Sequence, residues 1–273
     1  MLLPTDYLAL GLCVVASALL ALGVFNQRRW VRSMSYVLAG AIFALHVFHV
    51  RLEYLWVLMI PHPAVIIVKM LLGWGAAIAI LLGLSRHVKL PRDRKSLYFI
   101  AGLVAFLCGW IFIQQLNTRD VKPQSQWLDD TLIQSTNNTC MAAATCTYLK
   151  TLGIELTELD AVKRGLISKY GGSEPQAWRV LKLSLPADTY AVHIARLSRE
   201  EMQRQGRWYI GAIQYNWILG HGLAFRVEPD GESVVIRDPA AGQYRTSWDE
   251  FSRQWWGVGV WAEPRALPVA GAH

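Results

Sequence analysis

From residue 7 to residue 25 the chain reads YLALGLCVVASALLALGVF, nineteen positions without a charged side chain. A helix built from them is apolar all round, and about 20 such residues reach across a ~30 Å hydrocarbon layer. Three more runs of this kind follow, at residues 34–50, 64–84 and 96–116. The pattern predicts four transmembrane spans. Residues 52–60 (LEYLWVLMI) are too few to cross alone and are expected to lie at the interface or to lengthen the second span. No Lys or Arg precedes residue 7, and the first run outlasts the core of a signal peptide, so it is read as a retained span.

After Leu116 the texture changes. A polar tether over residues 117–127, opening NTRDVKPQSQ, leads into about 150 residues of ordinary mixed pattern, enough for one domain with its own core. Residues 140–152 (CMAAATCTYLKTL) read as a buried Ala-rich helix ending at Gly153. Thr157 and Asp160 have capping-box spacing for a second helix to about Ser168, and a third is expected near residues 176–183 after the turn YGGSEP. From Tyr190 the runs AVHIA, RWYIGAIQY, HGLAFRVEP and SVVIRDP are short and rich in Val, Ile, Tyr and Trp, the signature of strands. Glu228-Pro-Asp-Gly-Glu between the last two predicts a hairpin. Helices followed by an antiparallel sheet make this part α+β. The expected organisation is a four-span region at 1–116, a tether at 117–127 and a domain at 128–273.

Composition agrees with a divided chain. Of 273 residues 53% are hydrophobic and 17% charged, against about 25% charged in soluble domains. The net charge of +7 sits wholly in the apolar part, where ten Lys and Arg meet three Asp and Glu; residues 117–273 carry seventeen of each sign. Eight of those ten basic residues fall in the segments NQRRWVRS and SRHVKLPRDRKS after the first and third spans. Short loops rich in Lys and Arg stay cytoplasmic. The N-terminus and everything after Leu116 are therefore expected on the extracytoplasmic, periplasmic side of a plasma (inner) membrane. The excess charge is a topology signal, the bilayer is the implied partner, and no nucleic acid is called for.

Chemistry collects in the second part. Cys140 follows Asn137-Asn138-Thr139, residues that favour helix caps, which puts its sulfur at a helix N-terminus, where unpaired N–H groups and the helix dipole stabilise a thiolate. His221 opens the first hairpin strand and Asp238 closes the second, so the turn at Asp230 and Gly231 brings them near each other. Gln134, six residues before Cys140, is a candidate oxyanion donor. His193 is an alternative base on another strand.

Gln134-x5-Cys140-x-Ala-Ala-Ala, Gly220-His221, Val-Val-Ile-Arg-Asp238-Pro-Ala-x-Gly242 and Trp248-x-x-Phe251-x3-Trp255-x-Gly257 resemble the bacteriocin-processing cysteine peptidases, papain-like enzymes that remove leader peptides after a double glycine. The resemblance spans about residues 128–262. It implies a papain-like domain in which Cys140 is the nucleophile, His221 the general base, Asp238 the group orienting the imidazole and Gln134 part of the oxyanion hole. It implies a peptide or protein substrate and no cofactor. Met141 departs from the family, which usually has Gly after the nucleophile; a side chain there is expected to narrow the site. Many relatives are fused to an ABC exporter, but this sequence has no Gly-x4-Gly-Lys-Ser/Thr phosphate loop. It is similar to a stand-alone, membrane-tethered version, with a secretion-system component as a candidate partner. The same residues also admit a catalytically silent papain-like assembly subunit, or a thiol acyltransferase or amidase.

Other features have plainer readings. His46 and His49 share a helix face and would suit haem or a metal, yet also fit as bundle-facing imidazoles. Lys69 is expected to snorkel, and Gly73-x-Gly75 to mark helix packing. Cys146 is expected as a small buried hydrophobe, Asp230 and Asp249 as solvated, and Trp248, Trp255, Trp256 and Trp261 as core or interface.

Overall fold

The computed structural model describes residues 3–47, 49–87, 91–117, 124–214 and 220–265. Backbone contacts divide the chain into two units, Leu2–Gln114 and Gln115–His273.

The first unit is helical. Helix α1 (Pro4–Phe25) starts with proline at its first position, and the carboxylate of Asp6 accepts the backbone N–H of Leu3 at 2.7 Å. It is followed by α2 (Arg29–Val47), α3 (His49–Met59), α4 (Val65–Leu84), a 3₁₀ turn at Ser85–His87 and α5 (Pro91–Leu116). Small residues bring these helices together. A Cβ on Gly75 would fall 2.0 Å from Ser17 Oγ, and one on Gly83 would meet Val24 and Tyr36. Leu20, Val24 and Ala79 form a core between α1 and α4, with Tyr36 and Ile42 of α2 packed on it.

Among the described residues, two of the four expected spans, α1 and α4, are helices long and apolar enough to cross a membrane. The other two segments are helical as well, but several basic residues expected in loops lie within helices, Arg29 and Arg32 at the start of α2 and Arg92, Arg94 and Lys95 at the start of α5. The apolar part of α5 described at that level, Lys95–Leu107, is correspondingly shorter. Lys69 is buried rather than extended to an exposed helix end. The side chains of His46 and His49 lie outside the described residues.

The second unit is α+β. A hairpin of β1 (Gln126–Leu128) and β2 (Thr131–Ile133) precedes helices α6 (Cys140–Thr151), α7 (Glu158–Gly165) and α8 (Glu174–Ser184). A six-stranded antiparallel sheet follows, in the order β3 (Tyr190–Arg196), β8 (Val258–Pro264), β4 (Tyr209–Gln214), β5 (Gly220–Val227), β6 (Ser233–Asp238), β7 (Gly242–Ser247). Two short helices, α9 (Arg199–Gln205) and α10 (Trp248–Gln254), interrupt the run of strands, so helices do not all come first.

Helix α6 is the centre of this unit. Every residue from Cys140 to Leu149 is buried. Its polar side chains are spent on its neighbours: Thr147 Oγ1 accepts the N–H of Leu132 on β2, and the Tyr148 hydroxyl accepts the N–H of Ala262 and donates to its carbonyl on β8. These bonds tie the carboxyl half of the helix to β2 and β8. Two turns set the opposite side. In the β5–β6 hairpin the Asp230 carboxylate accepts N–H bonds from Glu232 and Ser233, and Gly231 takes φ +70°. Between β6 and β7, Ala241 N–H bonds to the Asp238 carbonyl, and Gly242 takes φ +85°.

Candidate active site

Cys140 is the first residue of α6. Thr139 before it caps nothing with its side chain; its hydroxyl donates back to the Thr136 carbonyl at 3.0 Å. The helix therefore opens with backbone N–H groups that no side-chain oxygen occupies, the environment that favours a thiolate or a developing oxyanion. The sulfur is buried and accepts the N–H of Gly222 at 3.4 Å.

Gly222 explains how β5 reaches that point. A Cβ on it would stand 2.9 Å from Met141 Cα and 3.0 Å from Met141 N, so only glycine lets the strand backbone lie against the helix end. The neighbouring His221 is thereby carried to Cys140. Its Nε2 stands 2.6 Å from Asp238 Oδ1. With Nε2 committed to Asp238, Nδ1 is the ring nitrogen left to face Cys140, whose proximity helps raise the imidazole. Asp238 is not directly opposite His221. Its neighbour Arg237 pairs with Ala224, so Asp238 lies past the last paired residue and reaches the imidazole diagonally. The other hold on its carboxylate is the N–H of Ala240, at 2.7 Å.

These contacts set the protonation states. Burial opposes a charge on His221, but the hydrogen bonds to Asp238 and Cys140 outweigh it and push the imidazole up to about 10. For Asp238 burial again opposes the charge, and the bonds from His221 and Ala240 win, holding the carboxyl below its ordinary value. His221 is thus paired with the Asp238 carboxylate, and the next residue on its strand, Gly222, meets the Cys140 sulfur.

Gln134 joins this group through its backbone. Its N–H bonds to the carbonyl of Pro239, next to Asp238, at 2.8 Å, while its Oε1 is buried with no partner among the described residues. Met141 is 1% exposed and packs beside Gly172 and Gly222. The expectation that its side chain narrows the site is corrected: the side chain is buried in the core against those glycines.

The other candidates stand apart. His193 is on β3, separated from β5 by β8 and β4; it stacks on Trp261 with its Nε2 3.0 Å from Glu263. Cys146 is buried, and burial with the nearby Glu158 and Asp160 carboxylates pushes its thiol up, away from reactivity. Phe251 and Trp255 pack with Phe225, Trp248 packs on Phe251 and Trp255, and Trp261 packs edge-on to Tyr209, which is core chemistry. Trp256 covers Gly220. Among the described residues no three His, Cys, Asp or Glu side chains gather as a metal would need.

No family model matches the chain, and no curated protein matches it. Among solved structures it is similar to the peptidase domain of Streptococcus ComA, a bi-functional ABC transporter involved in a quorum-sensing pathway, at 15% identity and TM-score 0.44, covering 50% of this chain and all of that one. It is similar also to a double glycine motif protease from an AMS/PCAT transporter in complex with the leader peptide, at 16% identity and TM-score 0.42, over 53% of this chain and 93% of that one. The peptidase domain of Streptococcus mutans ComA gives 13% identity and TM-score 0.40, over 50% of this chain and all of that one. Two of these three structures are described as peptidase domains and one as a double glycine motif protease.

Proposed function

We propose that this protein is a membrane-anchored cysteine peptidase acting on a secreted or membrane polypeptide, with Cys140 as nucleophile, His221 as acid and base, Asp238 as the group orienting the imidazole, and Gln134 with the Cys140 N–H as the oxyanion hole. The observation that carries the reading is the 2.6 Å pairing of His221 with Asp238 on a strand whose Gly222 N–H reaches the Cys140 sulfur at 3.4 Å, at the start of a helix.

In this reading the thiolate attacks a peptide carbonyl. A C–S bond forms, the carbonyl oxygen becomes an oxyanion held by backbone and Gln134 N–H donors, and the C–N bond breaks as His221 gives its proton to the leaving amine. A water then enters, His221 takes one of its protons, and hydrolysis of the thioester restores the sulfur. Asp238 keeps one ring nitrogen occupied, so the other always faces the sulfur.

Membrane anchoring by four spans, with the catalytic unit on the extracytoplasmic side, is supported by the basic segments of the sequence and by α1, whose outward Leu8, Leu12, Leu19 and Leu22 are each more than 60% exposed. The candidate substrate is a leader-bearing peptide cut after two glycines. Full-length protein in detergent micelles should cleave a peptide with a Gly-Gly junction, and Cys140→Ala should abolish this while leaving the fold intact by circular dichroism. Undiminished cleavage by that variant removes Cys140 from the mechanism.

A further inference from the structure

One buried acid takes no part in that chemistry. Glu158, the first residue of α7, is fully buried, and its carboxylate reaches 23 residues back along the chain. Oε1 accepts the backbone N–H of Ser135 at 3.1 Å and Oε2 accepts the Ser135 hydroxyl at 2.9 Å. Its own N–H bonds to Ser125 Oγ at 3.1 Å, so the segment entering the nucleophile helix is held at two points by one residue.

Ser135 directly follows Gln134. The N–H of Gln134 is fixed to the Pro239 carbonyl, beside Asp238, and the N–H of Ser135 is fixed to Glu158. Gln134 is therefore clamped on both sides. Its side-chain oxygen has no hydrogen bond to orient it among the described residues. The direction of the amide is inherited from the backbone, and the backbone is set by these two bonds. An oxyanion donor acts only when held close to its productive position, and displacements near 1 Å cost on the order of 10²-fold in rate.

We propose that Glu158 is a positioning residue for the oxyanion hole: by gripping Ser135 it fixes Gln134 and the loop leading to Cys140. This rests on Cys140 being the nucleophile. It predicts a division between two reactions of the same sulfur. Attack on an ester carbonyl forms C–S and expels the alcohol through an oxyanion; displacement of iodide forms C–S with no oxyanion at all. Losing the grip should impair only the first.

The test uses the full chain in detergent, with p-nitrophenyl acetate as acylating probe and iodoacetamide as alkylating probe, both read at Cys140 by peptide mass mapping. Glu158→Ala should slow acylation by about 10²-fold and leave alkylation within about twofold. Glu158→Gln, which retains an acceptor oxygen for Ser135, should recover acylation to within about tenfold of the native rate. Ser135→Ala, a milder change that keeps the backbone N–H, covers the case in which Glu158→Ala does not fold, and should lower acylation several-fold with alkylation unchanged. Equal loss of both reactions, or no loss of acylation, overturns the proposal. A native protein whose Cys140 takes neither reagent overturns the peptidase reading itself, and shows this before any variant is made.

Discussion

His221 lies between two partners that favour its charge, so pH acts on the site from both ends. Its folded value of about 10 exceeds the ordinary 6.5, so the stabilisation it contributes is complete below about 6.5 and is lost as pH rises through about 10. Asp238 is shifted the other way: its contribution is complete above about 3.8 and is lost as pH falls through its lowered value. Between those limits the pair stabilises the folded unit fully. Thermal unfolding followed by tryptophan fluorescence should show native protein losing stability from pH 6 to pH 10, and Asp238→Asn losing less over that range. Peptide cleavage should decline along the same alkaline limb, which in Asp238→Asn should move to lower pH. An unmoved limb contradicts the assigned role of Asp238.

At the scale of elements the site depends on how β5 meets α6. Gly222→Ala would place a methyl group 2.9 Å from the Met141 backbone, where neither strand nor helix end can yield cheaply. Overpacking of this kind costs about 1–3 kcal/mol. Urea unfolding of the variant should show that loss, together with slower alkylation of Cys140, because the strand that retreats carries His221 with it. Native stability with native labelling would mean that the close approach is not what positions the imidazole.

Much of this was legible in the residues. Val and Ile runs broken by Pro-Asp-Gly marked the β5–β6 hairpin, and the hairpin is enough to bring His221 and Asp238 together. Cys140 stands at the helix start, as the asparagines and threonine before it suggested, although Thr139 makes no capping bond and Asn138 bonds to Lys169 instead. Local signals for α9 and α10 were present as Ser198 with Glu201 and Ser247 with Glu250, each serine accepting the N–H three residues on. Those helices were hidden only by their shortness. The pairing of β8 between β3 and β4 was not legible, because it joins residues far apart in sequence and no local pattern encodes the partner. Nor was the burial of Met141, which depends on two glycines from different segments closing over it.

For the whole molecule, the two units carry opposite surfaces. The second unit buries its apolar residues in the ordinary way, whereas the first unit presents Leu12, Val37, Phe99 and Phe106 outward, an arrangement suited to lipid rather than water. In the proposed membrane arrangement the clustered Lys and Arg residues set its direction. Fusion of a phosphatase active only outside the cytoplasm to the C-terminus should give high activity, and a reporter inserted between the first two helices should give none. The reverse pattern would put Cys140 in the cytoplasm and change the class of polypeptide it can meet.

In the proposed mechanism the reactivity of Cys140 depends on His221. An ordinary thiol with a pKa near 8.5 is well under 1% ionised at pH 6. Alkylation by iodoacetamide at that pH, mapped by peptide mass on the full-length protein, should occur selectively at Cys140, leave Cys146 untouched, and fall by at least about tenfold in His221→Ala. Equal labelling of the two cysteines, or a Cys140 rate indifferent to the loss of His221, would contradict the account.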